Sequence, residues 1–119
     1  MSEGKVFELP VLVSRLEKEG GYFLDFLRVR NIEAGILVLH PDEPDTQEPH
    51  SDDELYYVIK GSGLMDLGKK KVHVKPGSIV FVPAGLRHRF YGNNDDLLVL
   101  YMFAGQNRKV ENTPRKHQD

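Results

Sequence analysis

No cysteine occurs among the 119 residues. No disulfide framework can form, and no thiolate can hold a metal. That one absence excludes zinc-finger, iron–sulfur and blue-copper centres. Any bound metal must therefore sit among nitrogen and oxygen donors. A strong charge of either sign is also lacking, since the formal net charge is −2. There is thus no electrostatic case for nucleic acid or for an anionic membrane surface as partner. No apolar run approaches the roughly 20 residues of a membrane-spanning helix. The first residues, Met1-Ser2-Glu3-Gly4-Lys5, lack the charged-then-apolar order of a signal peptide, so the cytoplasm is the expected compartment. Helical periodicity is scarce as well. Residues 11–17, with Leu12 and Leu16, predict one or two helical turns closed by Gly20-Gly21.

What the chain does contain is a succession of short apolar segments separated by glycine, proline and asparagine turns. Residues 22–30 end in period-two alternation that sets Phe26, Arg28 and Arg30 against Leu27 and Val29. Further strands are expected over 34–40, 54–60, 64–67, 72–74, 79–82, 87–91 and 97–103. Residues 41–49 form a polar loop rich in proline and acids. This pattern predicts an all-β sandwich or barrel. The length suits one domain, placed at residues 1–106, with a polar tail over 107–119.

Two segments carry the chemistry. The first reads Gln47-Glu48-Pro49-His50-Ser51-Asp52-Asp53-Glu54, and the second runs from Gly77 to His88. Side chains alternate between the two faces of a strand. Glu48, His50 and Glu54 share a parity, so an extended segment turns all three to one side. The same parity aims Tyr56 and Val58 inward and Tyr57 and Ile59 outward. His88 and Phe90 share a face, which leaves Arg87 and Arg89 pointing out. Two imidazoles and two carboxylates suit a divalent cation, and Mn, Fe, Zn, Ni or Co are all compatible. Taken singly, acids in this loop, such as Asp42, Glu43, Asp45, Asp52 and Asp53, read as a solvated face. The argument for a metal rests on spacing and on the matched second segment.

These segments resemble the two signature motifs of the cupin superfamily. His50 stands at the second histidine of the first motif, Glu54 at its glutamate and Gly61 at its glycine. Gly77, Pro83, Gly85 and His88 fit the second motif in full, with its asparagine displaced to Asn93. The likeness covers residues 34–103. It implies a double-stranded β-helix, a small jelly-roll barrel with a divalent metal inside, often as a dimer. Glu48, His50, Glu54 and His88 are then the expected metal ligands. Glu48 departs from the family pattern, because it replaces the first histidine. It is expected either on the metal or beside it as a general base.

The resemblance implies a metal-dependent enzyme acting on a small organic molecule, with an oxygenase first, and isomerase, lyase or hydrolytic chemistry as variants. A binding or sensing barrel without turnover, and a metal-free structural barrel, are the alternatives. Tyr56 and Phe90 are the candidates to line a substrate pocket. Outward apolar residues such as Tyr57 would suit a homodimer. Arg28 and Arg30 are read on the solvent face, His40 as a reserve ligand, and His73 and His117 as structural or exposed.

Overall fold

A computed structural model describes residues 3–47, 49 and 51–104. A helix, α1 (Leu9–Glu19), precedes eight strands. These are β1 (Phe23–Arg28), β2 (Ile32–Leu39), β3 (Glu54–Lys60), β4 (Gly63–Leu67), β5 (Lys70–Val74), β6 (Ile79–Val82), β7 (His88–Tyr91) and β8 (Leu97–Ala104). A five-stranded sheet has the order β1-β2-β8-β3-β6, and a three-stranded sheet the order β5-β4-β7. All pairings are antiparallel. This is the expected all-β jelly roll. Among the described residues, no helix is long and apolar enough to cross a membrane.

The strands form where alternation is cleanest. In β3, Glu54, Tyr56 and Val58 are buried while Leu55 and Tyr57 are exposed. In β7, His88 and Phe90 are buried while Arg89 is exposed, and Arg87 just before the strand is exposed too. Both parities are as expected. The inward residues of β2, β3, β4, β7 and β8 close one core, including Leu37, Val58, Met65, Phe90 and Val99. Gly61 ends β3 at φ 89°, in the left-handed region that glycine enters without strain. A Cβ there would overlap the carbonyl oxygen of Asp96.

Three elements depart from expectation. The helix is longer than the one or two turns predicted, because Pro10 suits its first turn rather than ending it. Leu12 and Leu16, one turn apart, are buried against Leu24 and Ile36 on the outer face of the larger sheet. Such burial stabilises by roughly 2 kcal/mol per leucine, which a short helix in isolation lacks. Gly20 closes the helix as expected, its N–H donating to the Leu16 carbonyl. In β1 a bulge between Asp25 and Leu27 leaves Phe26 without a register partner, so that Leu27 takes Ala34 opposite it, while Phe26 packs with Leu24 under the helix. β2 begins early enough to include Glu33, which is fully buried, its Oε1 3.9 Å from Nε of Arg28. Arg28 and Arg30 are exposed, as expected.

Candidate metal centre

Glu54 is the first residue of β3, in the interior of the larger sheet, opposite Val82 on one side and Phe103 on the other. His88 is the first residue of β7, at the edge of the smaller sheet. The two sheets face each other, and the two side chains meet between them. Nε2 of His88 stands 3.4 Å from Oε1 of Glu54, both side chains only 1% exposed.

The approach to this pair is held from behind. Asp53 uses its side chain to accept the Ala84 N–H at 2.9 Å, and its carbonyl accepts the Ala104 N–H. The start of β3 is thereby tied to the Pro83-Ala84-Gly85 turn that leads into β7. The Leu86 carbonyl from this turn lies 2.9 Å from Nδ1 of His88. A carbonyl only accepts, so Nδ1 carries the proton and Nε2 is the nitrogen turned toward Glu54. This is the arrangement by which an outer carbonyl orients a metal-binding imidazole.

Gln47 closes the site from the loop. Its Nε2 donates to Oδ2 of Asp45 at 3.1 Å, which turns Oε1 toward Tyr56. Tyr56 donates its hydroxyl to that Oε1 at 3.0 Å. The phenol oxygen also lies 3.1 Å from Nε2 of His88. With the phenol proton directed to Gln47, the Glu54 carboxylate and the phenol oxygen converge on Nε2 of His88, which donates to Glu54 when it carries a proton and is an acceptor when it does not. Such a group calls for a proton or a cation at its centre. Phe90 packs edge-on against Tyr56, with centroids 5.0 Å apart. Burial is the largest influence on His88 and lowers its pKa. The hydrogen bonds to Glu54 and the Leu86 carbonyl, with the negative charges of Glu54 and Asp45, outweigh it and leave His88 raised. Burial, then the charges of Glu54 and Asp45, push Tyr56 well above its ordinary value. Tyr56 is therefore a neutral phenol.

The separation of the pair fits a shared ion. Ligands about 2.1 Å from one cation stand roughly 3.0 Å apart at a right angle and about 3.4 Å apart at a tetrahedral angle. Glu48 and His50, the other two expected ligands, lie outside the described residues. Among the described residues, no group of three or more histidines, cysteines or acids forms a site by itself. His40 is not near the pair. It is exposed, and its Nδ1 lies 2.7 Å from Asp96. His73 is exposed on β5, and His117 lies outside the described residues.

Reading the loop acids as a solvated face misses two that are buried. Asp45 is 9% exposed and Asp52 6%. Asp45 accepts from the Phe90 N–H at 2.8 Å and from the Tyr22 hydroxyl at 3.3 Å, so it fastens the loop to the edge of β7. Gln47, Tyr22, Tyr101 and Phe103 also escaped the sequence, and with Glu54 they line an interior cavity of about 10 Å³. That is room for about one water. Asn93, the displaced motif asparagine, is a structural clamp, with Nδ2 donating to the carbonyls of Leu39 and Asp95.

Residues 35–104 match the model of the cupin domain family. The chain belongs to the cupin family. This cupin is 38% identical over 100 residues to an uncharacterized protein of Streptomyces coelicolor, SCO3923, a match covering 84% of the chain and 95% of that protein. It is 30% identical over 112 residues to acireductone dioxygenase 1 of Physcomitrium patens, across 84% of the chain and 55% of the relative. The chain thus spans about half the length of that dioxygenase. Among solved structures, TT1209 from Thermus thermophilus superposes with a TM-score of 0.71 at 22% identity, covering 84% of this chain and 96% of that one. That likeness concerns the fold.

Proposed function

We propose that this cupin is a metal-dependent enzyme of the oxygenase type, acting on a small organic molecule at the Glu54–His88 pair. The observation that carries the reading is the buried approach of His88 Nε2 to Glu54 at 3.4 Å, with Nδ1 turned away onto the Leu86 carbonyl. The relatives named acireductone dioxygenase support an oxygenase over the other chemistries. In this reading Glu48 and His50 complete the ligand set, and Glu48 either joins the metal or stands beside it as a base.

A divalent ion, when bound, polarises substrate oxygens and, if redox-active, admits dioxygen chemistry. The protein's own groups do the rest. The Leu86 carbonyl fixes the tautomer of His88. Gln47 holds the Tyr56 phenol beside the pair, where it orients a polar substrate atom. Phe103, Leu37 and Tyr101 keep bulk water out of the interior.

The test is metal analysis of the purified protein and of His50→Ala and His88→Ala, followed by oxygen uptake with an acireductone. The wild type is expected to hold a divalent metal near one equivalent, and both variants to lose it. Metal retained by both variants would sink the reading.

The same reading includes a homodimer. Leu55 and Tyr57 of β3, Ile79 and Phe81 of β6 and Met102 of β8 present exposed apolar side chains on one face of the larger sheet. The helix covers the neighbouring part of this face but stops short of β3 and β6. β6 is also an edge strand. An exposed apolar sheet next to an open edge is a surface that association covers.

A further inference from the structure

A cleft of about 730 Å³ runs beside β7, between that strand and the loop carrying Asp45 and Pro49, and His88 forms part of its wall. Among the described residues its charged lining is Lys69, Arg87, Arg89, Asp45 and Asp66. Three cations face two carboxylates, and both carboxylates are engaged locally. Asp45 is occupied by the Phe90 N–H, the Tyr22 hydroxyl and Gln47. Asp66 accepts from the Tyr91 hydroxyl at 2.9 Å and from Nε of Arg89 at 3.3 Å. Arg89 is further held over the Tyr91 ring, 4.7 Å from its centroid, and Lys71 approaches the same ring at 5.8 Å.

The side chains of Lys69 and Arg87 differ. Among the described residues they make no hydrogen bond or ion pair. They come from two turns that close the same end of the barrel, the β4–β5 turn and the turn leading into β7. The Arg87 carbonyl accepts the Gly68 N–H at 2.8 Å, which keeps the two turns together. This concentration of positive charge runs against a chain whose net charge is −2. Like charges crowded at a concave surface repel one another, and an anion between them relieves the repulsion.

We infer that this cleft binds a small anionic molecule, one bearing a carboxylate or a phosphate, with Lys69 and Arg87 as the binding cations and His88 at its inner wall. The inference deepens the proposed function by naming a substrate class, and it rests on that reading for its catalytic meaning. Arg87 supplies a fork for two acceptor oxygens, and Lys69 a mobile point charge. Arg89, held by Asp66 and Tyr91, fixes one side of the opening.

The experiment uses the full chain after removal of metal by a chelator, so its outcome does not depend on whether a metal enzyme is at hand. Inorganic phosphate, succinate and the uncharged succinamide are titrated separately while amide resonances are followed by NMR. Phosphate or succinate is expected to move the amides of Gly68, Lys69, Leu86 and Arg87 saturably, and succinamide is expected not to. The arm that saturates at lower concentration identifies the anionic group. In Lys69→Gln/Arg87→Gln, whose dispersed spectrum reports that the fold is kept, the affinity is expected to fall about tenfold or more. Equal shifts with succinamide, shifts scattered over the surface, or unchanged affinity in the double variant would overturn the inference.

Discussion

The hydroxyl of Tyr101 lies across Gly35 and donates to Oδ1 of Asp25. Asp25 is the register partner of Gly35 on β1, and Tyr101 is its partner on β8. The tyrosine thus crosses β2 at the one position where no side chain intervenes. A Cβ on Gly35 would overlap the Tyr101 ring and hydroxyl and the Leu24 carbonyl. Gly35→Ala is expected to cost about 1–3 kcal/mol, the range of an overpacked core, read as a lower urea midpoint. Tyr101→Phe removes the bond to Asp25 and is expected to cost about 1 kcal/mol. Combined, the two should cost slightly less than their sum, because the phenylalanine removes one of the overlaps, the hydroxyl, while the ring and the Leu24 carbonyl remain. Strict additivity would show that the hydroxyl is no part of the obstacle, leaving the ring and the Leu24 carbonyl.

Metal should stabilise the fold through Glu54 and His88. A ligand that binds only the native state at a hundred times its Kd adds about 2.7 kcal/mol. Adding Mn²⁺, Fe²⁺ or Ni²⁺ to chelator-treated protein is therefore expected to raise Tm by several degrees. Glu54→Gln and His88→Ala should lose most of that rise. Tyr56→Phe removes the phenol but neither ligand, and should keep it. Thermal scans of the four proteins with and without metal decide the matter, and an equal rise in the His88 variant would contradict the assignment.

The parts of the site legible in sequence are those carried by local pattern. Parity in β3 sets Glu54 on the same face as Tyr56 and Val58, and all three are buried. The glycines and proline before His88 mark the turn that delivers it. What stayed hidden depends on chain segments far apart. Asp53 looks like one more acid in a polar loop until its carboxylate is seen on the Ala84 N–H. Asp45 is similar, since its donors come from β7 and from the residue before β1. Tyr101 reads as plain core in β8, and only the register with Gly35 explains where its hydroxyl goes. The bulge in β1 shifts the register with β2 by one residue, which the pattern of a single strand does not show. The helix was underestimated because its stability comes from the sheet beneath it.

His40 offers a pH-dependent contact away from the site. Its hydrogen bond with Asp96 is the first cause of a raised pKa, followed by the charge of the same carboxylate. A histidine whose folded value exceeds its unfolded value, about 6.5, stabilises fully below the unfolded value. That contribution is lost as pH rises through the folded value. Both side chains are more than half exposed, 63% and 54%, so the effect on stability is small. The titration itself is the sensitive readout. An NMR titration of wild type and Asp96→Asn is expected to show the His40 midpoint falling toward 6.5 in the variant. An unchanged midpoint would mean the contact is not populated in solution.

The apolar face of β3 and β6 supplies the last prediction. Ile79 is 69% exposed and Phe81 56%, and both lie on an edge strand. Phe81 stands opposite Leu55, and Ile79 opposite Tyr57, so the four form one continuous patch. None of the four lies in the core clusters, which makes a charge at Phe81 tolerable to the protomer. Across a twofold interface, however, the same substitution enters twice, and each aspartate is driven against the partner's apolar surface. Phe81→Asp is therefore expected to sediment as a monomer where the wild type sediments as a dimer, with little change in far-ultraviolet circular dichroism. Lys70→Asp, on the exposed start of β5 in the other sheet, should leave the dimer intact. A wild type that stays monomeric throughout the accessible concentration range would remove the dimer from the proposal, and the patch would then need another occupant.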